Sequence, residues 1–164
     1  MKIVVQTADF DVGAELRALA GSNSRIGAVA SFVGLVRDLN DGQSVTGMRL
    51  EHYPGMTEKA LARIVSEAQA RWQVDDALVI HRVGPLQACD QIVLVAVASM
   101  HRQDAFAACA FIMDYLKTSA PFWKHEDTSA GPRWVAERAT DLTALQRWEI
   151  PSTSPAAPQA GAAV

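Results

Sequence analysis

Pro121 sits in the middle of "DYLKTSAPFWKHE" (114–126), a stretch that also holds two lysines, three aromatics and a histidine. Proline lacks the N–H that a helix interior needs, and its ring drives the preceding residue out of the helical region. The chain is therefore predicted to run as helix to Lys117 or Thr118, turn, and extend through Phe122, Trp123 and Lys124. On one unbroken helix the two lysines would stack on a single face two turns apart. Across a corner they instead present their ammonium groups from different directions, with apolar rings between them.

The elements around this corner follow from periodicity. Residues 2–6 (KIVVQ) read as a strand and 11–20 as a short helix opened by Asp11. "GAVASFVGLVR" (27–37) is a strand, and Asp41-Gly42 in the following polar turn predicts a hairpin with "VTGMRLEHY" (45–53). Pro54-Gly55 then opens an amphipathic helix, with Met56, Ala60, Leu61, Ile64, Val65, Ala68 and Trp72 on its apolar stripe. "ALVIHRV" (77–83) and "QIVLVAVAS" (91–99) are strands, the second apolar nearly throughout and so expected at the centre of the sheet. An Ala-rich helix over 102–117 is expected to turn Phe106, Cys109, Ala110, Met113 and Leu116 inward. A last strand at 133–138 and a short helical or irregular segment at 141–148 complete the pattern. Strands and helices without strict βαβ alternation indicate an α+β domain, its sheet mixed but mostly antiparallel, with two main helices.

The length of 164 residues suits one domain, expected over 1–150. Beyond it, "PSTSPAAPQAGAAV" (151–164) has three prolines, small residues and no charge, the composition of a disordered tail. A net charge of −3 gives no support to nucleic-acid binding. No apolar run reaches membrane-spanning length, and no basic-then-apolar leader opens the chain. Cys89 and Cys109 form neither a metal spacing nor a disulfide framework, and none of the four histidines forms an HxxxH pair. The expectation is a protein of the reducing cytoplasm with no cofactor and no structural metal.

Cations mark the candidate chemistry. Arg37 ends a strand, His101 and Arg102 precede the Ala-rich helix, Lys117 ends it, and Lys124 and His125 follow the corner, with Glu126 beside them. Taken singly, a strand-end arginine or a helix-end lysine is a solvated group, and a cation at a helix C-terminus is mildly stabilising in itself. His101 and Arg102 are different, because cations at a helix N-terminus oppose its dipole unless an anion joins them. Together these residues describe a cationic site for a phosphate or carboxylate. Two lysines held close to each other and to aromatic rings would lower each other's pKa, and a partly neutral lysine can act as nucleophile or base. From the residues alone, a Schiff-base lysine enzyme on a small phosphorylated carbonyl compound and a non-catalytic anion-binding module both remain open.

"LEHYPGMTEKAL" (50–61), "MHR" (100–102) and "FIMDYLKTSAPFWKHE" (111–126) strongly resemble the large, catalytic subunits of molybdopterin synthases, over about Lys2 to Trp148. The resemblance implies an α/β-hammerhead-like fold and a homodimer of large subunits within a heterotetramer. It implies a small ubiquitin-like sulfur-carrier partner, whose C-terminal Gly-Gly thiocarboxylate donates sulfur. The substrate would be cyclic pyranopterin monophosphate, which gains two sulfurs to form the dithiolene of molybdopterin. Lys117 and Lys124 match the family's two pocket lysines and are expected to be the catalytic pair, His101 and Arg102 match its His-Arg pair, and Arg37 its substrate-binding arginine. His125 and Glu126 extend the substrate-binding set. The chain departs from the family pattern at Leu35, often a lysine, and at His125, often an arginine. Leu35 offers no contact to phosphate, and the charge of His125 depends on pH. Cys109 is expected in the core, and Cys89 has Asp90 beside it. Neither suits a persulfide carrier, so sulfur is expected to arrive on the partner.

Overall fold

The computed structural model describes residues 1–40, 43–128, 131–135 and 139–149. The tail expected at 151–164 lies outside the described residues. The element order is β1 (Lys2–Gln6), α1 (Val12–Ala20), β2 (Ala28–Leu35), β3 (Leu39–Asn40), β4 (Gln43–His52), α2 (Met56–Arg71), β5 (Asp76–Arg82), β6 (Gly84–Leu86), β7 (Gln91–Ser99), α3 (Arg102–Ser119), β8 (Phe122–Thr128), β9 (Gly131–Val135) and α4 (Ala139–Glu149).

The α+β class is borne out, but the strands divide into two sheets. The first has the order β1-β5-β7-β2, with β1 and β5 parallel and the other pairs antiparallel. As its unbroken apolar run predicts, β7 is internal, and Val93 through Ser99 are all buried. One face of this sheet packs on α2 and α3 through Leu61, Ile64, Val65, Val79, Val95, Val97, Phe111 and Ile112. The other face packs on α1 through Phe10, Leu78, Ile80 and Leu94, with Leu16 and Leu19 against them. Asp11 caps α1 as expected, its Oδ1 accepting from the Ala14 N–H at 2.9 Å.

The second sheet is built on β4, which pairs with β8 along one edge and with β3 and β6 along the other. This corrects the expected hairpin. Only Leu39 and Asn40 pair back onto Ser44 and Gln43 across residues 41 and 42. The long strand β2 instead takes β7 as its partner, from Ala28 opposite Ser99 to Leu35 opposite Gln91. A buried apolar strand offers β2 a full ladder. A register shift between Gly34 and Leu35 ends that ladder, and the chain then crosses to the other sheet.

Two apolar assignments also change. Phe106 is 66 % exposed, because Ala105, Ala108, Phe111 and Ile112 form the stripe of α3 that meets the sheet, with small residues where the helix lies against the strands. Met56, the first residue of α2, is exposed as well. Trp72 is a packed residue at a helix end as expected, edge-on to Phe111 and to Trp148 of α4.

Candidate functional site

The corner forms as the proline requires. Helix α3 ends at Ser119, Ala120 takes an extended conformation (φ −90°, ψ 131°), and β8 begins at Phe122. Lys117 lies exposed in the last turn of α3, and Lys124 is half-buried in β8. Directly paired residues of neighbouring strands share a face. Lys124 lies opposite Leu50, so it projects from the face of the second sheet that buries Leu50 and Met48 against Val36 and Leu86. That cluster places the inner face of β8 beside the segment that carries Arg37. Arg37 itself is exposed, two residues beyond the end of β2.

The same topology brings Lys117 to this end of the molecule. Helix α3 leaves β7 through a tight turn and runs back along it: the Cys109 thiol reaches the Val95 carbonyl at 3.9 Å. At the far end, Phe122 stacks on His81, whose strand partner is Val93. The segments that carry Arg37, Lys117 and Lys124 therefore lie at the same end of the fold, where β2 ends and β7 begins.

His101 and Arg102 do not join them within one chain. His101 caps α3 at the Ser99 end, its N–H donating to Ser99 Oγ at 3.1 Å, and both side chains are exposed. A helix rises about 1.5 Å per residue, so Arg102 and Lys117 lie roughly 22 Å apart along the axis. Five of the residues expected in a single cationic site thus form two groups at opposite ends of α3.

His125 is also separated from Lys124. Successive strand residues point to opposite faces, and His125 lies opposite Arg49 on the outer face, with Trp123. Glu126 pairs with Met48 by backbone register, and its side chain lies outside the described residues. Leu35 is 54 % exposed on edge strand β2, an apolar surface where a lysine would be a further cation.

Two buried polar residues near the corner carried no obvious charge pattern in the sequence. Thr57, fully buried in the first turn of α2, accepts from the Tyr53 N–H at 3.2 Å and donates to the Pro121 carbonyl at 3.3 Å. His81 stacks on Phe122 with ring centres 3.8 Å apart, and its Nδ1 lies 2.8 Å from the Arg82 carbonyl. Burial pulls its pKa down to about 4, so the ring is neutral. The signal for His81 was a lone imidazole in the otherwise apolar "ALVIHRV"; for Thr57 it was a hydroxyl at the start of an apolar stripe.

The cysteines occupy the expected environments. Cys109 is buried on α3 and its thiol pKa is pushed up to about 11 by desolvation, which disfavours the reactive thiolate. Cys89 is exposed in the turn before β7, with a positive φ of 73°.

Fold and site together define an α+β protein with cations collected at a helix-to-strand corner. The family model described as MoaE protein matches residues 5–119, and the chain belongs to the MoaE family. It is 64 % identical over 161 residues to the molybdopterin synthase catalytic subunit of Ralstonia nicotianae, covering 98 % of this chain and 92 % of that protein. Among solved structures it is similar to the molybdopterin biosynthesis MoaE protein of Burkholderia ambifaria, with TM-score 0.79 and 57 % identity, over 92 % of this chain and 99 % of that one. The fold also matches a Helicobacter pylori chain solved as a complex of subunits 1 and 2 of molybdopterin-converting factor, with TM-score 0.68 and 20 % identity, over 83 % and 91 % of the two chains.

Proposed function

We propose that this chain is the catalytic subunit of a molybdopterin synthase and acts in molybdenum cofactor biosynthesis as a sulfur-transferring enzyme. The donor is the C-terminal Gly-Gly thiocarboxylate of a small ubiquitin-like sulfur carrier, and the acceptor is cyclic pyranopterin monophosphate. The observation that carries the reading is the Pro121 corner, which in a chain of this family turns Lys117 and Lys124 toward the same end of the fold as Arg37.

In each transfer the thiocarboxylate sulfur displaces an oxygen at a side-chain carbon of the pterin, so that a carbon–sulfur bond forms as a carbon–oxygen bond breaks. Water then cleaves the acyl–sulfur bond of the resulting thioester, leaving sulfur on the pterin and releasing the carrier as a carboxylate. Both steps develop negative charge on oxygen or sulfur, and fixed ammonium and guanidinium groups stabilise it. Lys117 acts at the reacting carbons, while Lys124 orients the substrate from the inner face of β8. Arg37 holds anionic groups of the substrate.

His101 and Arg102 complete the site in a homodimer, and this assembly with two carriers is a heterotetramer. Since one α3 holds its two cationic groups roughly 22 Å apart, the His-Arg pair serves the site of the second copy. Among the described residues no helix is long and apolar enough to cross a membrane, which accords with action in the cytoplasm. Reconstitution with a thiocarboxylated carrier and the pterin precursor, followed by detection of the dithiolene, tests the reaction. Carrier consumption with no dithiolene would refute it.

A further inference from the structure

The two lysines flank a corner that Pro121 cannot hold by itself, because proline offers no backbone donor. The side chains around it do so instead. The turn between β4 and α2 folds tightly over Gly55, at φ 80°, whose N–H donates to Glu58 Oε2 at 2.6 Å. This presents Thr57 to Pro121, sixty-four residues away in sequence. One hydroxyl thereby links the β4–α2 turn, through the Tyr53 N–H, to the carbonyl at the corner.

The next two residues are gripped as well. Phe122 lies nearly parallel to His81, at 17°, and Trp123 meets Tyr53 edge-on with ring centres 5.1 Å apart. Packing alone would be served by valine at position 57, which has the same shape as threonine and no polar atom to bury. A fully buried hydroxyl used both as acceptor and as donor answers a directional requirement.

We infer that Thr57 is a positioning residue for the sulfur-transfer site: by bonding the Pro121 carbonyl it sets the angle between the end of α3 and the start of β8, and so the spacing of Lys117 and Lys124. The inference rests on the proposed roles of these lysines. It gives the "HYPGMT" segment (52–57) a task beyond turning a strand into a helix.

Two substitutions separate positioning from packing. Thr57→Val keeps the shape and removes the hydroxyl, whereas Thr57→Ser keeps the hydroxyl and removes a methyl group. Turnover, affinity for the thiocarboxylated carrier and melting temperature are measured for both, beside Lys117→Ala and Lys124→Ala. Misplacing catalytic groups by a fraction of an ångström to an ångström costs about 10-fold to 100-fold in rate, and Thr57→Val is expected to lose that much kcat with carrier affinity unchanged. Thr57→Ser should stay within about threefold of the parent even if it melts no higher than the valine variant. Equal losses in the two variants, or wild-type kcat in folded Thr57→Val while the lysine variants are inactive, would overturn the positioning role alone. Normal turnover in both lysine variants would remove the site reading and this inference with it.

Discussion

The two ends of α3 carry the same kind of charge in different settings. At the C-terminal end Lys117 shares one end of the fold with the Pro121 corner, the inner face of β8 that carries Lys124, and the segment after β2 that carries Arg37. At the N-terminal end His101 and Arg102 stand exposed over the close of β7, and the pairings of the second sheet are all made elsewhere. The dipole sharpens the contrast, since it favours the lysine at its C-terminus and opposes the arginine at its N-terminus. On the function proposed, the first end holds the reaction and the second lends its charge to another copy.

The largest expected effect is at the C-terminal end. Lys117→Ala should lower product formation by at least about 100-fold, the scale for removing a group that stabilises developing charge, with folding and carrier binding intact. Lys124→Ala should be severe too and should also weaken precursor binding. Rapid-quench turnover together with precursor titration checks both. Near-normal rates would dissolve the distinction between the two ends.

Arg102→Ala tests the other end. It should weaken precursor binding about tenfold or more, the scale of one charge-assisted contact to an anion, and should leave carrier affinity unchanged. Isothermal titration with the precursor reads this directly. A loss of carrier binding instead would place Arg102 on the carrier's docking surface.

Acid should loosen the C-terminal end through His81. Its pKa is about 4 in the fold against about 6.5 in the unfolded chain, so between these values the unfolded chain binds a proton that the folded one refuses. Stability is then full above about pH 6.5 and falls as the pH drops toward 4, by about 3 kcal/mol from this group. Urea unfolding from pH 7.5 to 4 should show the fall. His81→Phe, which keeps a ring against Phe122, should flatten it.

The smallest effect is expected at the cysteines. A Cys89→Ser, Cys109→Ala double variant should keep turnover within about threefold while losing about 1 kcal/mol at the buried site. A persulfide on the wild-type chain during reaction, with an inactive but folded double variant, would place sulfur on this chain after all.

Much of this contrast was legible in the sequence, because it rests on local rules. Pro121 dictated a helix end and an extended Ala120, and the unbroken apolar run of β7 dictated an internal strand. What was not legible depended on partners remote in sequence. Asp41-Gly42 does sit between paired strands, yet β2 found a better ladder on β7, so one expected sheet became two. These cations read as one site because spacing along the chain carries no distance between helix ends. His125 next to Lys124 likewise read as a neighbour, although strand alternation sends it to the other face. Thr57 bonds across sixty-four residues, and no local pattern announces that.

The most direct test of a site shared between copies is complementation in a mixed dimer. Lys117→Ala and Arg102→Ala chains with different affinity tags are co-expressed, and only dimers carrying both tags are assayed with thiocarboxylated carrier and precursor. Each such dimer has one site with neither substitution and one with both. Turnover should then recover to about half that of the wild-type dimer, although each variant alone is impaired. Mixed dimers no more active than the average of the two variants would show that Lys117 and Arg102 do not meet across copies.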